Sequence, residues 1–252
     1  MPLCYAAPAR IPPTDRLPAA MNDEIKPNPA FDAIRAAGGP LASQLARYFE
    51  AMAARNPAAG KAYDDVVAQL VAAGAGAGAP KAGDRLPGFL LPDGQGRLVA
   101  LADLLAAGPQ IVSLNRGNWC PFCWLELSAL GEIHTAVRER CGNIVSISPE
   151  TAIWNRRLSQ RLNLPFPVLT DIDNGYALEL GLAVAMPAPV LAVYEKAGID
   201  LARYQNGAGN LLPLPATYVV GTDGIVLHAF VDGDFRKRVD PADILAALKA
   251  DR

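Results

Sequence analysis

The chain has 252 residues, 51% of them hydrophobic, and a formal charge of -2 at pH 7. That length suffices for one large domain or two small ones with a proper core. The near-neutral balance offers no basic field for nucleic acid and no polybasic stripe for a membrane, and no apolar run approaches the ~20 residues of a spanning helix.

The chain opens on "MPLCYAAPARIPPTDRLPAA", with five prolines and no continuous apolar stretch. Residues 1–21 are therefore expected to be disordered, with Met21 an alternative start. The segment is not a secretory signal, and Cys4 lacks the hydrophobic run that precedes a lipidated cysteine. The expected compartment is a reducing cytoplasm, where a close cysteine pair is catalytic or metal-binding more often than a staple.

Residues 22–80 are expected to form a helical arm and a linker. "PLASQLARYFEAMAAR" sets Leu41, Leu45, Phe49 and Met52 on one face at helical spacing. "NPAAGKAYDDVVAQLVAAG" starts with Asn56 as N-cap and Pro57 at the first helical position, then places Tyr63, Val66, Val67, Leu70 and Val71 before Gly74. The apolar faces of this hairpin must pack on the main domain or on a second subunit, and a homodimer through these helices is the favoured expectation. "GAGAGAP" reads as a flexible linker.

From Lys81 to Arg252 strands alternate with helices. "QIVSLN" (110–115), "NIVSIS" (143–148) and "FPVLTD" (166–171) are strand candidates, separated by helices over about 121–140 and "TAIWNRRLSQRLNL". "TYVVGTDGIVLHAFV" is a hairpin turning at Asp223-Gly224, and Asp240-Pro241 starts a last helix. Parallel crossovers followed by an antiparallel hairpin imply an α/β fold, a mixed central sheet flanked by helices.

Chemistry concentrates in "NRGNWCPFCWLEL", residues 115–127. Cys120 sits where a strand gives way to a helix, whose free N–H groups and partial positive charge favour a thiolate. Pro121 suits the first helical turn, and Cys123 lies one turn on, within bonding reach. Such a pair can be oxidised and resolved. A zinc half-site would need two further ligands from Cys4, Cys141, His134 and His228, none of which forms a second tight pair. An inert buried pair is the remaining alternative, and for Cys141, at a helix end without an evident partner, it is the preferred one. No cofactor is expected. Pro215, two residues before Thr217 in "LPLPATYVV", is a candidate cis proline facing the cysteine motif, where its missing N–H would leave the sulfur unobstructed.

"WCPFC", "LPATYVVGTDG" and the order of segments resemble the thioredoxin superfamily. Within it, "GDRLPGFLLPDGQGRLVALADLL", "LNLPFPVLTD" and "FVDGDFRKRVDPADIL" are similar to the CxxC-bearing peroxiredoxin-like proteins of the alkyl hydroperoxide reductase/thiol-specific antioxidant (AhpC/TSA) family. The similarity runs from about Ala82 to Leu248. It implies a thioredoxin-like fold and an antioxidant thiol oxidoreductase: Cys120 as peroxidatic nucleophile, Cys123 as resolving thiol, and a reducing dithiol such as thioredoxin as partner. Two positions depart from the family's P-x-x-x-T-x-x-C pattern, with Ser113 and Gly117 in place of its Pro and Thr, and Pro215 stands where the family brings an Arg.

Around the pair, Trp119 is expected to shield one side, and Arg116 either stabilises the thiolate or is a solvated loop charge. Asp234, Arg236 and Arg238 read as a surface ion-pair cluster, and His134 and His228 as ordinary helix and strand residues. Three functions remain open: a peroxidase, a thioredoxin-like disulfide oxidoreductase, and a non-catalytic association module.

Overall fold

The computed structural model describes residues 28–205, 207 and 209–250, of which residues 249 and 250 by backbone alone. The expected disorder of residues 1–21 lies outside them.

Three helices come first: α1 Pro29–Ala37, α2 Leu41–Arg55 and α3 Pro57–Ala72. Asn56 caps α3 as expected, its side chain accepting from the Ala59 N–H, with Pro57 at the first position. Helix α1 was not foreseen, although Asn28-Pro29 is the same cap signal. A hairpin follows, β1 Leu90–Pro92 and β2 Leu98–Ala100, then α4 Leu101–Ala106. The central elements are β3 Gln110–Leu114, α5 Pro121–Arg138, β4 Asn143–Ser148, α6 Ala152–Leu162 and β5 Val168–Thr170. An excursion then carries α7 Gly175–Glu179, β6 Ala183–Ala185, α8 Ala188–Lys196, α9 Leu201–Gln205 and β7 Leu211–Pro213. The chain closes with β8 Ala216–Val220, β9 Val226–Val231 and α10 Pro241–Ala250.

The main sheet has the order β5-β4-β3-β8-β9. Strands β3, β4 and β5 run parallel, while β8 is antiparallel to both β3 and β9. This is the expected mixed sheet. Strand β3 sits at its centre and is buried along its whole length, as a strand covered on both faces must be.

The helical arm packs on its own domain. Helices α1 and α2 lie on α5, and α3 lies on α8. Phe31 meets Trp124 edge-on at 5.4 Å and Tyr48 meets Phe122 at 5.2 Å. Leu41, Leu45, Val66 and Val67 are buried in one core with Ile111 and Leu125. Covered on one side by the sheet and on another by the arm, α5 buries Phe122 to Leu127 without a break. The apolar faces assigned to a homodimer are thus occupied within the chain. The segment expected to be a flexible linker is packed as well: Ala79 is buried, and Gly76, at φ +82°, lies so close to Val231 and Leu214 that a Cβ there would overlap both.

Candidate active site

The loop from β3 to α5 is pinned from two sides. Asn115 donates to Ser146 Oγ at 2.6 Å and to the Ile147 carbonyl at 3.1 Å, and accepts the Gly117 N–H at 2.8 Å. The Asn118 N–H donates to Glu150 Oε2 at 2.8 Å, and Trp124 Nε1 donates to the Asn118 carbonyl at 2.7 Å. Gly117 turns the loop at φ +109°, with Glu150 filling the space a Cβ would need. Cys120 then caps α5, with Pro121 at its first position.

Both cysteines are free and buried, Cys120 2% exposed and Cys123 not at all. The Cys123 thiol donates to Cys120 Sγ at 2.8 Å. Burial pushes the Cys120 pKa up. The hydrogen bond from Cys123 and the charges of Arg116 and Arg238 overcome it and bring the pKa down to about 7. Cys123 shifts the opposite way, raised by its own burial and by the neighbouring Cys120. The pair is therefore asymmetric, and Cys120 ionises more readily than Cys123.

Two buried cations flank it. Arg116 is 2% exposed, donates to the Tyr194 hydroxyl, and lies over the rings of Phe235 at 4.4 Å and Trp119 at 4.9 Å. Among the described residues no carboxylate pairs with it, and its charge acts on Cys120, whose pKa it helps to lower. Arg238 donates to Glu126 Oε2 at 2.5 Å and to Cys123 Sγ at 3.5 Å. Glu126 also accepts from Thr217 at 2.9 Å and from Ser113 at 3.4 Å, which completes a buried polar cluster behind Cys123.

Residues 82–229 match the AhpC/TSA family. The chain belongs to that family. Among solved structures it is similar to peroxidoxin BcpB of Mycobacterium tuberculosis, with 22% identity over 69% of this chain and 99% of that one, at a TM-score of 0.54. It is also similar to AhpC of Enterococcus faecalis, at 15% identity, covering 68% of this chain and 92% of that one (TM-score 0.51). A peroxiredoxin 6 mutant of Arenicola marina is similar at 15% identity, covering 67% and 71%, with a TM-score of 0.51. No curated protein matches the chain. These likenesses show the thioredoxin-like fold, and family membership makes the protein a thiol-dependent oxidoreductase of the antioxidant, peroxide-reducing kind.

Against that family pattern the site is rearranged. Gly117, at the family's Thr position, leaves room for Glu150. Ser113, at its Pro position, turns into the Glu126 cluster. Thr217 belongs to the same cluster and lies behind the pair. No Arg stands at Pro215, and the cations that lower the Cys120 pKa are Arg116 from the loop and Arg238 from the tail.

Several expectations need correction. Pro215 is trans, since no cis peptide occurs among the described residues. Strands β3 and β8 are neighbours as expected, with Leu114 opposite Ala216. The chain, however, passes from β7 through Leu214 to β8 without a turn, and an extended trans bond suffices. Arg238 is no surface charge, because it folds inward to Glu126. Asp234 and Arg236 do form the expected outer cluster, which ties the tail to Asp64 of α3. Cys141 is disulfide-bonded and not partnerless.

Glu126, Glu150 and Tyr194 were not foreseen. For Glu126 a signal existed, a lone carboxylate inside the apolar run "FCWLELSAL". Nothing local marks Glu150 or Tyr194, which reach the site from β4's end and from the excursion. Among the described residues no group of three or more His, Cys, Asp and Glu side chains converges to hold a metal.

Proposed function

We propose that Cys120 is the peroxidatic nucleophile and Cys123 the resolving thiol of a two-cysteine peroxidase. The Cys120 thiolate attacks the terminal oxygen of a hydroperoxide, an S–O bond forms as the O–O bond breaks, and the alkoxide or hydroxide leaves and takes up a proton. The sulfenic acid then condenses with the Cys123 thiol to a disulfide and water, and an external dithiol of the thioredoxin type returns both to thiols. The observation that carries this reading is a buried cation, Arg116, that lacks a carboxylate of its own and helps to hold the Cys120 pKa down to about 7. That arrangement favours an anionic nucleophile and can steady the charge developing on the leaving oxygen.

Disulfide exchange with a protein is the second reading, and CxxC itself favours it. It loses ground with the trans Pro215 and with two sulfurs too buried to meet an extended chain. Stopped-flow Trp fluorescence separates the two, since Trp119 and Trp124 flank the pair. Reduced protein mixed with peroxide should give a fast change, and mixed with a protein disulfide it should not.

We propose a monomer, because the faces that would drive dimerisation are covered, and sedimentation of the full chain tests this. No helix among the described residues is long and apolar enough to cross a membrane. A reducing cytoplasm suits the regeneration step, whereas the Cys141 disulfide pulls toward an oxidising compartment. Cell fractionation decides between them.

A further inference from the structure

In a two-cysteine peroxidase Cys123 has two opposite duties. While Cys120 is the thiolate, Cys123 serves it as a thiol, its proton directed at Cys120 Sγ 2.8 Å away. To close the disulfide it must itself attack as a thiolate, the nucleophilic form of a cysteine. Complete burial and an anion at Cys120 both work against that second form.

The surroundings of the Cys123 sulfur nonetheless suit a negative charge. Cys123 Sγ accepts the Arg116 backbone N–H at 3.4 Å and Arg238 Nη2 at 3.5 Å. Arg238 is held in place for this contact. Its Nε donates to Glu126 Oε2 at 2.5 Å, and its Nη1 donates to the carbonyls of Phe235 and Lys237, each at 2.6 Å. With those three bonds made, the planar guanidinium keeps Nη2 aimed at the sulfur. Glu126 is fixed in turn by Thr217 and Ser113. Among the described residues, the titratable groups acting on Cys123 are Cys120 at the helix cap, Arg116 from the loop, Arg238 from the tail, Glu126 of α5 and Glu150 from the end of β4. Of these, only Cys120 changes its charge in the attack on peroxide, because a sulfenic acid is neutral. Arg238 lies outside the family match at residues 82–229.

We propose that Arg238 is a catalytic residue of the resolving step: its Nη2–H, with the Arg116 backbone N–H, holds Cys123 as a thiolate once Cys120 has become a sulfenic acid. The inference rests on Cys120 being the peroxidatic thiolate and deepens that reading. In the resting protein the Cys120 charge keeps the Cys123 proton in place. Oxygen transfer to Cys120 removes that charge, while the Arg238 and Arg116 donors remain. Cys123 Sγ then attacks Cys120 Sγ, the S–S bond forming as the S–O bond breaks. The departing hydroxide takes the proton that Cys123 gave up and leaves as water. The Cys120 sulfur is reduced and the Cys123 sulfur oxidised, so resolution waits for attack.

Stopped-flow Trp fluorescence of the full chain with hydrogen peroxide separates the two steps, since attack scales with peroxide concentration and resolution does not. Both are followed between about pH 6 and 9, with dimedone trapping and mass spectrometry to count the sulfenic acid. The variants are Arg238→Met/Glu126→Gln, which removes both charges of the buried pair together, and Arg238→Lys, whose single ammonium keeps a cation opposite Glu126 without the fork. In the double variant, resolution should slow at least about tenfold more than attack, the worth of a hydrogen bond to a charged group. It should recover as pH rises, with its midpoint above that of the wild type, because Cys123 without Arg238 ionises later. Arg238→Lys should shift rate and midpoint in the same direction by less, and it decides the matter if the double variant does not fold. Attack and resolution slowed by one common factor, or a resolution midpoint that stays where it was, would overturn the proposal while leaving Cys120 a peroxidase. A wild type with no concentration-dependent phase and no trapped sulfenic acid would overturn the peroxidase reading and this inference with it.

Discussion

Arg238, on the segment between β9 and α10, reaches across the core to Glu126 in α5, Nε to Oε2 2.5 Å apart, with both side chains almost fully buried. The two are 112 residues apart in sequence, and their contact closes the back of the cysteine site. Breaking such a pair from one side strands a charge in the core. Arg238→Met should therefore cost about 3–5 kcal/mol of stability in urea unfolding. In variants stable enough to assay, the Cys120 pKa should also rise, because one of its two cations is gone.

Cys120 should ionise near neutrality. The rate of alkylation by iodoacetamide follows the thiolate fraction, so it should climb between pH 6 and 8 with a midpoint of about 7 and level off above. A free thiol would show its midpoint at about 8.5. Arg116→Met should move the midpoint upward, toward that of a free thiol. An unshifted midpoint in the wild type would remove the argument for an activated Cys120.

The two cysteines should fail differently. Cys120→Ser should abolish peroxide turnover in an assay coupled to a reducing dithiol. Cys123→Ser should allow a single attack and then stop at a Cys120 sulfenic acid, which mass spectrometry after dimedone trapping would register.

Glu150 carries a carboxyl whose burial raises its pKa well above the ordinary value. A raised folded-state pKa means that the folded protein holds this proton after the unfolded chain has released it. Stability from this group is complete below the unfolded value of about 4.3 and is lost progressively as pH rises through the folded one. Glu150→Gln, which mimics the protonated form, should flatten the fall in stability as pH rises above the unfolded value of about 4.3. Denaturant midpoints across that range check it.

Gly117→Ala combines a positive φ with an overlap, its Cβ falling 2.2 Å from Glu150 Cδ. The loop that carries Cys120 must shift to admit it. A stability loss of about 1–3 kcal/mol and a slower peroxide reaction are expected, the second visible in stopped flow.

How much of this was legible beforehand follows from the range of each interaction. The central strands, the Cys120 helix with Pro121 at its start, the Asn56–Pro57 cap and the Asp223-Gly224 hairpin all depend on neighbours within a few residues, and their signals stand in the local pattern. So does the placing of Cys120, the proposed nucleophile, because a helix N-terminus acts on the residue at its cap position. Segments of five residues or fewer in the excursion, such as α7, α9, β6 and β7, carry too few apolar positions to show a period, and they exist because the core beneath holds them.

The sequence by itself determined a CxxC pair at a strand-to-helix junction in a mixed α/β fold, since propensity, capping and periodicity act over a turn or two of chain. Only the tertiary structure decided what surrounds that pair. Arg116 could have been a solvated loop charge until Tyr194, Trp119 and Phe235 closed over it. The arm could have sought a second subunit until α5 offered Phe122 and Trp124 to its aromatic face. Arg238 read as a surface charge until a buried carboxylate 112 residues away supplied its partner. Burial and charge pairing are properties of what meets in space, and a pattern of adjacent residues carries no record of them.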